Sequence, residues 1–229
     1  MQPINIYIHI PFCFSKCPYC GFFSCTNCDD SYQEYFKTLN QEIIEKSNKY
    51  KDREIQTIYI GGGTPNLVPY EYIVRAIDNI KKNFNLHPNV EISIELHPQY
   101  ITEESVLGYK GAGINRMSIG LQTTHNEDLK QLNRRYTYEQ FLIKYFILKK
   151  NNINNIGIDL IFGYPQHTFK KWAKTLKLIT DLDIQHISCY SLEIEEGTPY
   201  DTLYKQNRLP IPEENENRDM YHYACEYLS

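Results

Sequence analysis

The stretch Ile4-Asn-Ile-Tyr-Ile-His-Ile10 passes through Pro11 and Phe12 into Cys13-Phe-Ser-Lys-Cys17-Pro-Tyr-Cys20. Its first half alternates isoleucine with polar residues, the period-2 pattern of a half-buried strand. Its second half spaces three cysteines as C-x₃-C-x₂-C, a loop dense in soft thiol ligands. Thiolates of this kind are the usual ligands for the iron corners of an iron–sulfur cluster. Four cysteines close a cubane, whereas three leave one iron free to take a substrate. A second pair, Cys25 and Cys28, keeps another reading open, a zinc knot formed with Cys17 and Cys20. A disulfide framework belongs to secreted chains, and no signal-peptide pattern precedes the first strand.

Outward from this loop the chain alternates short β-branched runs with longer amphipathic ones. Strands are expected at 4–10, 55–61, 91–96, 115–121, 155–162 and 185–193. Helical stretches are expected near 30–50, 69–84, 103–111, 125–150, 168–181 and 213–228. Such alternation predicts parallel strands with right-handed crossovers. Periodicity alone does not separate an open six-stranded barrel from a flat doubly wound sheet. In barrel folds, active-site groups gather at the C-terminal ends of strands.

The strand ends carry chemistry. After the second strand comes Gly61-Gly62-Gly63-Thr64-Pro65, whose missing Cβ atoms let backbone lie directly against a ligand. Glu95 closes the third strand at an apolar terminus, so it needs a cationic or hydrogen-bonding partner. Gln122 ends the fourth strand with a neutral amide. Asp159 lies inside the apolar run of the fifth, where an unpartnered carboxylate is penalised. Arg134 and its neighbour Arg135 both offer a planar fork suited to a carboxylate. His9 reads either as a packed core histidine or as a site residue, and Cys189 reads as core.

Taken together, the cysteine loop with Tyr19 before its last cysteine, the glycine run and the Asp159-Leu-Ile-Phe-Gly-Tyr-Pro165 stretch resemble the radical S-adenosylmethionine superfamily. Within it, Tyr7-Ile-His-Ile-Pro-Phe-Cys13 is similar to the oxygen-independent coproporphyrinogen III oxidase family, which includes a haem-chaperone branch. The resemblance implies an α/β fold, a parallel (βα)₆ partial, open TIM-type barrel. It implies a [4Fe–4S] cluster on Cys13, Cys17 and Cys20, with S-adenosylmethionine bound at the open iron. Tyr7 and Tyr19 are then expected near the cofactor, and Gly62, Gly63 and Thr64 around its amino group. Glu95, Gln122, Arg134 and Asp159 are expected as further polar contacts.

Departures from the family pattern sharpen the expectation. Phe22 stands where the oxidase branch has a fourth cysteine, which favours the chaperone-like branch over the decarboxylating enzyme. Leu96-His97 replaces the Ala-Asn that often follows the glutamate, and Tyr136-Thr137 stands where a histidine is usual. The haem-linked His-Asn-x-x-Tyr-Trp motif does not occur, and the single tryptophan is Trp172. Residues 1–229 are therefore expected to form one radical SAM core domain without the family's C-terminal covering region. An uncovered barrel flank would favour a homodimer. Haem or a porphyrin is the implied ligand, and an electron-donor protein the implied partner.

Composition fits these expectations. The chain has 229 residues, 41% of them hydrophobic, enough for one sizeable domain. A net charge of −4 gives no general case for nucleic-acid binding. No apolar run reaches the ~18 residues of a membrane span. Seven cysteines without a secretion pattern point to a reducing, cytoplasmic setting.

Overall fold

Six strands run parallel in one curved sheet whose outer side is covered by helices. The computed structural model describes residues 3–229. The strands are β1 (Pro3–Ile10), β2 (Glu54–Gly62), β3 (Asn85–Leu96), β4 (Arg116–Gln122), β5 (Ile156–Phe162) and β6 (His186–Ser191). The helices are α1 (Tyr32–Lys49), α2 (Tyr70–Asn83), α3 (Glu103–Gly111), α4 (Asn126–Gln131), α5 (Tyr138–Lys150), α6 (Phe169–Thr180), α7 (Pro199–Lys205) and α8 (Glu214–Leu228).

The strands pair in chain order, β1-β2-β3-β4-β5-β6. A doubly wound sheet reverses its strand order at a switch point. Here every crossover steps the same way, so the sheet curls in one direction. Each outer strand, β1 and β6, pairs on one side only, which leaves the open half-barrel that the family resemblance implied.

Three boundaries differ from the sequence reading. The single stretch expected at 125–150 divides into α4 and α5. Asn133 stands at φ 57°, the left-handed conformation that stops a helix. Thr137 then starts α5 through a capping box, accepting from the Gln140 N–H at 3.3 Å while the Gln140 side chain accepts from the Thr137 N–H at 2.9 Å. The short helix α7 was not expected; Thr198 caps it and Pro199 occupies its first turn. Strand β3 begins at Asn85, upstream of the expected 91, with a register shift against β2 between Ile55 and Thr57.

Period-2 alternation gives the sheet two unlike faces. Ile58, Ile60, Ile92, Ile94, Leu96, Met117, Ile119, Ile158 and Leu160 are buried in the main hydrophobic core. Each such isoleucine contributes roughly 2 kcal/mol of burial free energy. Their neighbours, Tyr59, Ser93, Glu95, Arg116, Ser118, Asp159 and Ser188, point to the other, concave face. The pairs Glu95–Ser118, Gly120–Asp159 and Asp159–Ser188 place these polar groups side by side across β3 to β6. The interior of the half-barrel is thus polar and open. No helix among the described residues is long and apolar enough to cross a membrane.

Candidate functional site

The cysteine loop closes on itself at its base. The Cys13 N–H donates to the Cys25 carbonyl at 2.9 Å, and the Cys25 N–H donates to the Pro11 carbonyl at 2.7 Å. The glycine run docks beside it: Gly63 N–H donates to Ile10 O and Thr64 N–H to Phe12 O, each at 2.8 Å. A Cβ on Gly63 would meet the Phe12 carbonyl at 2.7 Å and Cys13 Sγ at 2.9 Å, so only glycine allows this approach. Gly62 adopts φ 113°, a conformation for which glycine is suited, and the His9 ring covers it. The Thr64 hydroxyl donates to Cys13 Sγ at 3.7 Å.

His9 is neither core nor free. Its Nε2 lies 2.9 Å from the Phe23 carbonyl and its Nδ1 3.0 Å from the Tyr7 hydroxyl, so it ties β1 to the segment after the third cysteine.

All seven cysteines are free thiols. Burial raises the Cys20 thiol pKa, and the nearby Cys17 and Cys13 add to the rise. Neighbouring thiolates that repel one another are a site a cationic iron centre would stabilise. Among the described residues, no three His, Cys, Asp or Glu side chains gather closely enough to hold a single metal ion. This does not bear on a cluster, in which each thiolate takes a separate iron. Cys25 and Cys28 interact with each other, and burial together with Cys28 pushes the Cys25 thiol up to about 11.

Across the cavity, Glu95 accepts from the Tyr59 hydroxyl at 2.7 Å and the Gly62 N–H at 3.3 Å. The partner expected for Glu95 is thus a hydrogen-bonding one, and the carboxylate lies on the Cβ-free face of Gly61. Burial raises its pKa, the Tyr59 hydrogen bond opposes the rise, and the negative charge of Asp159 reinforces it. Asp159 accepts from the Ser118 hydroxyl at 3.2 Å. Burial raises its pKa too, against the hydrogen bonds from Ser188 and Ser118. Both carboxyl groups lie on the cavity wall, where their oxygens can meet polar groups of a ligand.

Gln122 sits at a bulge between β4 and β5 with φ 74°. The Tyr136 hydroxyl donates into the Gly120 and Leu121 carbonyls at 2.8 and 2.9 Å and holds the bulge in place. Arg134 donates from Nη2 to the Tyr19 hydroxyl at 3.1 Å, and its Nε is buried without a partner. Arg135, the alternative, is exposed and lies 5.0 Å over the Phe14 ring. His97 is held neutral, its pKa driven to about 3 by burial and then by Arg134.

One cavity of about 790 Å³ collects these groups. Cys13, Cys17, Cys20, Tyr19, Gly62, Gly63, Thr64, Glu95, Gln122, Arg134 and Asp159 all line it. Tyr7 does not: it stacks on Tyr59 at 6.2 Å and is 58% exposed on the open edge. Cys189 is half-buried, packed against the core yet also on the cavity wall. Sequence reasoning missed Tyr59, His97 as a wall residue, and Tyr136. Strand alternation placed Tyr59 on the same face as Glu95, but their contact depends on the β2–β3 register.

Comparison with known proteins follows the same residues. The Radical SAM superfamily profile matches residues 7–179. The heme chaperone HemW of Buchnera aphidicola subsp. Schizaphis graminum is 35% identical over 218 residues, covering 94% of this chain and 56% of that protein. The heme chaperone HemW of Synechocystis is 32% identical, covering 100% of this chain and 57% of its own length. The solved structure of the Escherichia coli coproporphyrinogen III oxidase HemN, described as a radical SAM enzyme, superposes with a TM-score of 0.88 at 26% identity. That superposition covers 99% of this chain and 52% of HemN. The chain therefore spans little more than half the length of the relatives it matches.

Proposed function

The chain belongs to the radical SAM superfamily, and from that premise we propose that it holds a [4Fe–4S] cluster and S-adenosylmethionine in a haem- or porphyrin-handling protein of the HemW type. Residues 1–229 are taken as one radical SAM core. The observation that carries the reading is the seating of Cys13 Sγ against Gly63, with Thr64 and Glu95 on the same cavity wall. A thiolate ligand and a cradle for an amino-acid head are thereby brought within one small volume.

Cys13, Cys17 and Cys20 are the ligands for the cluster. Bound there, the reduced cluster would supply the one electron for reductive cleavage of the S-adenosylmethionine sulfonium. The residues of this chain position that chemistry. Gly62 and Gly63 present backbone to the amino-acid head without steric bulk. Glu95, oriented by Tyr59, and Asp159, oriented by Ser118, accept hydrogen bonds from ammonium or hydroxyl donors. Arg134, whose side chain lines the cavity, offers its guanidinium to a carboxylate. Gln122 contributes a neutral amide. Tyr7, at the open edge, acts through His9 and Tyr59 rather than by contact with the cavity.

The reading is tested by anaerobic reconstitution with iron and sulfide. The parent chain is expected to bind about four irons and to show an altered cluster EPR spectrum on adding S-adenosylmethionine. Cys17→Ala is expected to lose both. A parent chain that binds iron without any spectral response to S-adenosylmethionine contradicts it.

A second reading, haem binding or delivery without turnover, is favoured by Phe22 and Phe14. Both line the cavity mouth and are 67% and 54% exposed, aromatic faces suited to a flat macrocycle. A haem titration with no spectral shift at micromolar chain rejects it. Decarboxylation is least favoured; anaerobic conversion of coproporphyrinogen III would reverse that ranking.

A further inference from the structure

The middle of the cysteine loop is held by the turn that follows α4, a turn that also borders the cavity. Three consecutive carbonyls around Cys17 are each occupied. Lys16 O accepts from Asn133 Nδ2 at 3.0 Å. Cys17 O accepts from the Cys20 N–H at 3.2 Å, and Pro18 O from the Tyr200 N–H at 3.0 Å. The Asn133 amide also reaches the Ser15 hydroxyl at 3.4 Å. Cys13 is fixed by Cys25 and the glycine run, but Cys17 has no such strand-borne anchor. Of its two flanking peptide planes, the preceding one is held by Asn133 and the following one by Cys20 within the loop, with Tyr200 holding the next plane on.

Asn133 is built for this reach. It follows α4 at φ 57°, with its own N–H donating to Lys130 O at 3.0 Å and the next N–H, of Arg134, donating to Leu129 O at 2.8 Å. That is a Schellman turn, whose left-handed position is usually glycine. Asparagine tolerates the same conformation and adds a side-chain amide. The turn has a firm base: Asp128 of α4 is buried, paired with Lys171 at 2.7 Å and accepting from the Tyr164 hydroxyl at 2.8 Å. The next residue, Arg134, grips the same loop at Tyr19.

We infer that Asn133 is a positioning residue that holds Cys17 in its cluster-binding conformation, acting through the Lys16 carbonyl. The inference rests on the cluster reading above. Two variants test it. Asn133→Gly keeps the left-handed turn without strain and removes the amide. Asn133→Asp keeps the shape and has no N–H to give. Hydrogen exchange of residues 14–20 is measured in the apo chain. Iron loss to excess chelator and the EPR g-values of the reduced cluster are measured after reconstitution. Both variants are expected to keep the parent's far-UV circular dichroism. Their loops are expected to exchange, and their iron to leave, roughly five-fold faster, the value of one hydrogen bond, with shifted g-values. Parent-like exchange and iron loss in both would overturn the inference. Should the glycine variant fail to fold, the aspartate variant decides. Should the parent bind no iron, the cluster reading fails while the apo exchange still decides the latch.

Discussion

At the scale of residues, the site spends local conformational energy to aim a side chain. Gln122 holds φ 74°, a region that costs a non-glycine residue roughly 1–2 kcal/mol. The bulge beside it and the Tyr136 hydroxyl keep it there. Replacing it with glycine relieves that strain, but glycine loses about 0.5–1 kcal/mol more backbone entropy on folding. The two effects nearly cancel. Gln122→Gly is therefore expected to leave the denaturation midpoint close to the parent's while S-adenosylmethionine affinity falls roughly tenfold, the loss of one good hydrogen bond. Equilibrium dialysis beside urea denaturation reads both. A large stability loss with unchanged affinity would mean that Gln122 serves the fold alone. The cavity residues were legible at this scale where burial cost forced the question. Glu95 and Asp159 stood out as carboxylates in apolar strands. Tyr59 did not, because a tyrosine in a strand has an ordinary packing role, and only the register shows its hydroxyl on Glu95.

At the scale of elements, strands were easier to read than helix ends. Short β-branched and apolar runs marked all six strands, since the covered face must be apolar and the concave face need not be. The division of 125–150 into α4 and α5 escaped because no proline or glycine interrupts the stretch. The signal was present in Thr137-Tyr-Glu-Gln140, a capping-box pattern. Thr137→Ala removes the side-chain acceptor for the Gln140 N–H and is expected to cost about 1 kcal/mol. Chemical denaturation measures this. Because α5 packs behind the sheet, cofactor affinity is expected to stay unchanged, and a loss of affinity without loss of stability would contradict the assignment. The turn between these helices also explains why Arg134 is drawn into the cavity wall while Arg135 stays exposed at its rim. The left-handed Asn133 reverses the chain, turning one arginine inward to Tyr19 and leaving the other on the surface against Phe14.

At the scale of the whole molecule, a polar concave face is the feature that joins fold to function. A closed barrel of this kind fills its interior with apolar side chains. Here the sheet stops at six strands, and Glu95, Gln122, Asp159 and Ser191 on it face a cavity of about 790 Å³. The cysteine loop closes one end of that cavity, so the thiols and the polar wall share one volume. The order of the strands could not be read from periodicity, because alternation is the same in an open barrel and in a doubly wound sheet. It came instead from the family resemblance, and the one-directional pairing agrees with it. The central claim is that this core positions S-adenosylmethionine for reductive cleavage. Formation of 5′-deoxyadenosine by the reconstituted chain, under anaerobic conditions with reductant and S-adenosylmethionine, tests it most directly. The account predicts product from the parent and none from Cys17→Ala. A parent chain with a full complement of iron that yields no 5′-deoxyadenosine would contradict it.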